Sequence, residues 1–105
     1  MPAQLDPTYE TLVKGFLEAM NDIGLYGKKK YPDTCFEKQV AEGQPAERKI
    51  DRVSQCQLHH HARQHIYAYG YKIPHDHFGT RKHQLAAAAF NLMMEYYYAQ
   101  LDDEV

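Results

Sequence analysis

Apolar positions recur at helical spacing along most of the chain. After Asp6-Pro7, the residues Leu12, Phe16, Met20 and Ile23 follow at three- and four-residue intervals, and Val13 and Leu17 widen the stripe. Asp followed by Pro is a strong helix opening: the carboxylate accepts from free backbone amides of the first turn, and the fixed φ of Pro suits the first helical position. The pattern predicts a first helix that ends near Gly24 or Gly27. Thr34-Cys35-Phe36-Glu37 has the form of a capping box, so a short second helix is expected from about Cys35 to Glu42, stopped by Gly43-Gln44-Pro45. From Ala46 no Gly or Pro interrupts the chain before Gly70, and Ile50, Val53, Leu58, Ala62, Ile66 and Tyr69 keep a helical stripe, which predicts the third helix. Tyr71 to Gly79 has no periodic pattern and contains Pro74, so it reads as a loop. Thr80 can cap a fourth helix through Leu85, Ala86, Ala89, Phe90, Met93, Tyr97 and Leu101, a stretch rich in strong helix formers. No alternating segment argues for a strand. The expected fold is all-α, a small bundle of three long helices and one short helix, forming a single domain over residues 1–105.

Composition adds three constraints. No apolar run approaches the roughly 18 residues of a membrane helix, and the Met1-Pro2-Ala3-Gln4 start lacks the basic and apolar features of a signal peptide, so a cytosolic protein without membrane contact is expected. Cys35 and Cys56 have no neighbouring Cys, which argues against a zinc knuckle and a disulfide framework and for two reduced thiols. The apolar surface of Leu92, Met93, Met94, Tyr96, Tyr97 and Tyr98 exceeds what one helix face can hide, so the chain is expected to form a homodimer through its last helix.

The formal charge of −2 excludes a strongly basic nucleic-acid binder, but the charge is unevenly spread. Residues 1–27 set Lys14 against Asp6, Glu10, Glu18 and Asp22; residues 28–83 carry 11 basic and 6 acidic side chains; residues 84–105 carry 4 acids and no base. All 7 His lie between His59 and His83, inside the basic centre. An anionic ligand should therefore meet the middle of the chain.

Within that centre, Tyr26-Gly27-Lys28-Lys29-Lys30-Tyr31 sets three ammonium groups between two rings. Phosphates need cations and bases stack on aromatic faces, so Tyr26, Lys28, Lys29, Lys30 and Tyr31 are candidates for a nucleotide site, which Arg52 of the third helix could close. The alternative is a solvated basic turn. His61 and His65 lie one turn apart on the same helix face, the loop adds Asp76, and His83 opens the fourth helix. Two imidazoles with a loop carboxylate suit a divalent metal, Mg, Mn or Zn, so His61, His65, Asp76 and His83 are the candidate metal ligands. The alternative is a polar face of hydrogen-bonded imidazoles. No catalytic residue is assigned.

His75-Asp76 is similar to the paired ligands of HD-type metal-dependent phosphohydrolases, but there the pair lies within a helix, whereas Pro74 favours a loop here. Glu18 with Asp22 and Glu47 with Asp51 share helix faces without the Glu-x-x-Glu spacing of all-α nucleotide pyrophosphohydrolases of the MazG type.

Three stretches resemble a family of small phage and prophage domains, the N-terminal domain of dATP/dGTP diphosphohydrolases. They are Tyr26-Gly27-Lys28-Lys29-Lys30-Tyr31, where the family tends to read Tyr-Gly-x-x-Lys-Tyr; Gln64-His65-Ile66-Tyr67-Ala68-Tyr69, beside its Arg-His-Leu-x-x-Tyr; and Asp76-His77-Phe78-Gly79 leading to His83 and an Ala-rich helix with Asn91. Gln64 stands in place of the family's Arg, the interval from His83 to Asn91 is longer than the family's by one residue, and residues 38–50 resemble an insertion. The resemblance implies an all-α fold, a phage or prophage origin and a part in purine deoxynucleotide metabolism, with Tyr26, Lys29, His65, Asp76, His83 and Asn91 carried over. Two classes of function follow: a metal-dependent purine dNTP diphosphohydrolase or nucleotide-binding domain, and a non-enzymatic helical protein that binds a host or phage protein.

The reading of the thiols makes a direct prediction. Replacing Cys35 and Cys56 together by Ser should leave ligand or partner binding unchanged, and loss of a bound metal from that variant would show that a thiol is a ligand.

Overall fold

The computed structural model describes residues 4–32, 36–42 and 52–103; Cys35, the cap residue Thr34 and the residues expected to open the third helix lie outside these ranges. Among the described residues the secondary structure is all α, with α1 Pro7–Lys30, α2 Phe36–Glu42, α3 Arg52–Gly70 and α4 Lys82–Asp103. No helix among them is long and apolar enough to cross a membrane.

The helix ends follow from local chemistry. At the start of α1 the Asp6 side chain accepts the Thr8 amide hydrogen at 2.8 Å, with Pro7 next to it, as the opening signal requires. The expected end near Gly24 or Gly27 is corrected: α1 runs through both glycines to Lys30. A helix tolerates interior glycine at a cost of about 1 kcal/mol. Here Lys28, Lys29 and Lys30 complement the negative end of the helix dipole, and Pro32 follows just beyond it. Helix α3 does end at Gly70, as the sequence pattern implies, although its closure falls to a residue beyond it. The Ile73 amide donates to the Ala68 carbonyl and the Lys72 amide to the Tyr69 carbonyl, a Schellman closure in which Lys72, at φ 62°, takes the left-handed position usually given to glycine.

Helix α4 is central: both α3 and α1 pack on it, and α2 packs on α1. Small residues allow this. Ala86, Ala87 and Ala88 are all buried although they point in successive directions around α4, so the helix is enclosed on several sides at this level. Ala86 joins Ala19 and Met20 of α1 in the core, with Ile23, Ala89 and Phe90 packed against them.

Gly24 forms a notch in α1. A methyl group there would lie 3.0 Å from both Phe36 and Phe90, whose rings meet edge to face with centroids 5.3 Å apart. Helix propensity favours Gly24→Ala by about 1 kcal/mol, whereas overpacking costs about 1–3 kcal/mol. Gly24→Ala should therefore destabilise the protein by about 1 kcal/mol in urea denaturation, whereas Gly15→Ala, which meets open space, should stabilise it by up to about 1 kcal/mol. Equal effects at the two positions would contradict this packing.

Candidate functional site

The C-terminal ends of α1 and α3 and the N-terminal end of α4 meet at one pole, because α1 and α3 both run towards the loop between α3 and α4. Side chains show the convergence: Asp22 of α1 reaches His83 of α4, and His65 of α3 reaches Gln84 of α4. The lysine turn and the histidines thus belong to the same end of the molecule.

At the centre is His83, 7% exposed. Its Nε2 lies 3.1 Å from Asp22 Oδ2 and its Nδ1 lies 2.5 Å from Thr80 Oγ1. A carboxylate only accepts, so Nε2 carries the hydrogen, and in the neutral ring Nδ1 then accepts from the Thr80 hydroxyl. The same oxygen accepts the His83 backbone N–H at 3.3 Å, so Thr80 caps α4 as expected while it orients the ring. Phe78 stacks on the imidazole, centroids 4.3 Å apart and planes 16° from parallel.

His65 is held differently. Gln84 donates its amide to the Ile73 carbonyl at 3.2 Å, which turns its Oε1 towards His65 Nδ1 at 2.7 Å. His65 therefore donates from Nδ1, and in the neutral ring its lone pair lies on Nε2. His75 stacks on it, centroids 6.0 Å apart and planes 10° from parallel. The His75 Nδ1 accepts the backbone N–H groups of His77 at 3.1 Å and Phe78 at 3.4 Å, so its hydrogen is on Nε2. The loop is closed behind it by His75 N–H to the Thr80 carbonyl and Gly79 N–H to the His75 carbonyl. Gly79, at φ 70°, supplies the left-handed turn.

The candidates from the sequence are distributed around this pole. Tyr26 stacks on His77, centroids 4.2 Å apart, and meets His75 and Phe78 edge on. Lys30 Nζ is 5.6 Å from the Tyr26 ring centre and 5.3 Å from that of Tyr31, and the Tyr31 hydrogen bond, followed by the charges on Tyr26 and Tyr31, raises its pKa above the ordinary lysine value. Lys28 forms an ion pair with Glu37 of α2, whereas Lys29 is exposed. Asp76 is exposed beside His75. His61 is exposed on α3 with His60 as its ring neighbour, 6.1 Å away. The Arg52 side chain lies outside the described residues. Asn91 donates to the Ala87 carbonyl of its own helix. Both His83 nitrogens are hydrogen bonded as placed, and no group of three or more His, Cys, Asp or Glu stands at metal-holding geometry among the described residues.

Asp22, Phe78 and Gln84 are not among the sequence candidates for this cluster, yet they orient its rings through hydrogen bonds and stacking. Thr80 with His83 at i+3 was a local signal for one of these contacts. Asp22, 61 positions from its partner, left no such signal.

The arrangement offers an imidazole lone pair at His65, an imidazole N–H at His75, an aromatic stack at Tyr26 and His77, and an ammonium at Lys30. That set can bind an anion, stack a planar ring and move a proton. No family of known proteins matches the sequence, and no characterised protein or solved structure is similar to it beyond chance.

Burial pushes His75 below the ordinary imidazole pKa, and the neighbouring His65 adds to the shift while Asp76 opposes it. Protonation would also place a hydrogen on Nδ1, against the two amides it accepts. Because the folded pKa is the lower one, the unfolded chain binds the proton first as pH falls. This contribution to stability is complete above about pH 6.5 and is lost on acidification below it. In urea denaturation, stability should rise between pH 5 and 7, and His75→Asn should flatten that rise; an unchanged slope would contradict the assignment.

Proposed function

We propose that the protein is a phage or prophage domain of deoxynucleotide metabolism that binds a purine deoxynucleoside triphosphate at this pole. The observation that carries the reading is the stacking of Tyr26 on His77, which joins the lysine turn of α1 to the imidazoles of α3 and the loop. A base stacks on the outer face of the exposed His77, and the phosphates extend towards Lys29, Lys30 and the His65 Nε2. The resemblance of the same stretches to dATP/dGTP diphosphohydrolase domains supports a purine.

A divalent metal belongs to this reading in a particular form. His65 Nε2 and the Asp76 carboxylate supply two protein donors, which suits Mg or Mn held jointly with substrate phosphates better than a fully protein-ligated Zn. Such a metal would polarise the phosphate being attacked. In hydrolysis, water adds to the α-phosphorus, the bond from that phosphorus to the bridging oxygen breaks, and diphosphate leaves with the deoxynucleoside monophosphate as the other product. The protein's part is to hold the base at Tyr26 and His77 and the phosphate charge at Lys29 and Lys30, while His65 Nε2 and Asp76 would hold the metal and the water's proton passes to solvent.

A second reading, a non-enzymatic helical protein that binds a host or phage protein, is favoured by the uncovered apolar side chains Tyr9, Leu12 and Phe16 of α1.

Calorimetric titration with dATP, dGTP, dCTP and dTTP in Mg²⁺ or Mn²⁺, followed by product chromatography, tests the first reading. Purine nucleotides should bind more tightly, and His77→Ala and Lys30→Ala should each weaken binding by about tenfold, the order expected for one lost stacking or charged contact. Absence of binding at millimolar nucleotide would overturn it.

A further inference from the structure

Helix α1 is partnered over only part of its length. Tyr9, Leu12 and Phe16 lie on the same face as Met20 and Ile23, which pack into the core with α4. The C-terminal half of the stripe is covered, while the N-terminal half is open to solvent, with Leu12 72% exposed. The radius of gyration, 15.0 Å, also exceeds the roughly 13 Å of a compact domain of this size. Helix α4 carries a second stripe of exposed side chains, Leu85, Leu92 and Tyr96, with Ala89, which also packs against the core, between them on the same face.

We propose that the occupant of each stripe is the other stripe in a second copy of this chain, so that two protomers exchange the N-terminal arms of α1 across α4. Tyr9, Leu12 and Phe16 have the same intervals as Ala89, Leu92 and Tyr96, and Leu5, just before the helix, corresponds to Leu85. The two stripes therefore mesh over three turns in one register, as seams of heptad type do. Charge selects the direction. With the helices parallel, Asp6 of one copy lies about a turn from Lys82 of the other; with them antiparallel, Asp6 would face Glu95, a like charge. Two-fold symmetry makes the exchange reciprocal and covers both stripes at once. The proposal is independent of nucleotide binding.

Sedimentation equilibrium of the full chain at micromolar concentration should give about twice 12.2 kDa. Leu12→Glu and Leu92→Glu, both at exposed positions, should each weaken self-association by at least about tenfold while circular dichroism retains the helical signal. In a Cys35→Ser, Cys56→Ser background, Leu5→Cys with Leu85→Cys should form disulfide-linked dimers, and Leu5→Cys with Tyr96→Cys should not. A monomer throughout, a dimer indifferent to both Glu substitutions, or the opposite cross-linking preference would overturn the proposal.

Discussion

Burying an imidazole is costly unless both of its nitrogens find partners, and His83 meets that requirement with residues from two other segments. Asp22 comes from the middle of α1 and Thr80 from the end of the loop, while Phe78 covers the ring. This contact ties α1 to the first turn of α4 and to the end of the loop, beside the core packing of Ala19 and Met20 on Ala86. Through it, Tyr26 reaches His77 and the lysine turn comes to the histidine end of the molecule.

The fold also leaves much apolar surface unused. A central helix lined by Ala86, Ala87 and Ala88 permits close approach from more than one side but contributes little buried area per residue, and the large side chains of the chain fall mostly outside the core. No large side chain among the described residues is fully buried. Such a molecule gains from covering its remaining stripes, whether by another copy or by a different protein, and this demand arises from packing and not from the chemistry of the polar pole.

Local features were the legible part of the sequence. Asp6-Pro7 and Thr80 act within one turn, so their roles could be read before the fold was known, and the aperiodic stretch around Pro74 forms the loop. Gly24 and Gly27 misled for one physical reason: a glycine favours a helix end chiefly where the backbone needs a left-handed residue. At the end of α3 that residue is Lys72, and at Gly24 the missing side chain instead admits Phe36 and Phe90. Contacts between distant segments were illegible. The shared face of His61 and His65 follows from helix geometry, but His65 joins the cluster through Gln84 and His75, whereas His61 remains exposed beside His60. Asp22 could be placed on a helix face with Glu18, yet its partner depends on the direction of α1, which no local pattern encodes.

The tautomer of His83 expresses the contact with Asp22 most directly: in the neutral ring Nε2 donates to Asp22 and Nδ1 accepts from Thr80. Nitrogen-15 NMR of the histidine side chains at neutral pH tests it directly. His83 should show a protonated, pyrrole-type Nε2 and an unprotonated, pyridine-type Nδ1, and Asp22→Ala should abolish this fixed pattern. A His83 ring that averages between tautomers like a solvent-exposed imidazole, or one protonated at Nδ1, would contradict it.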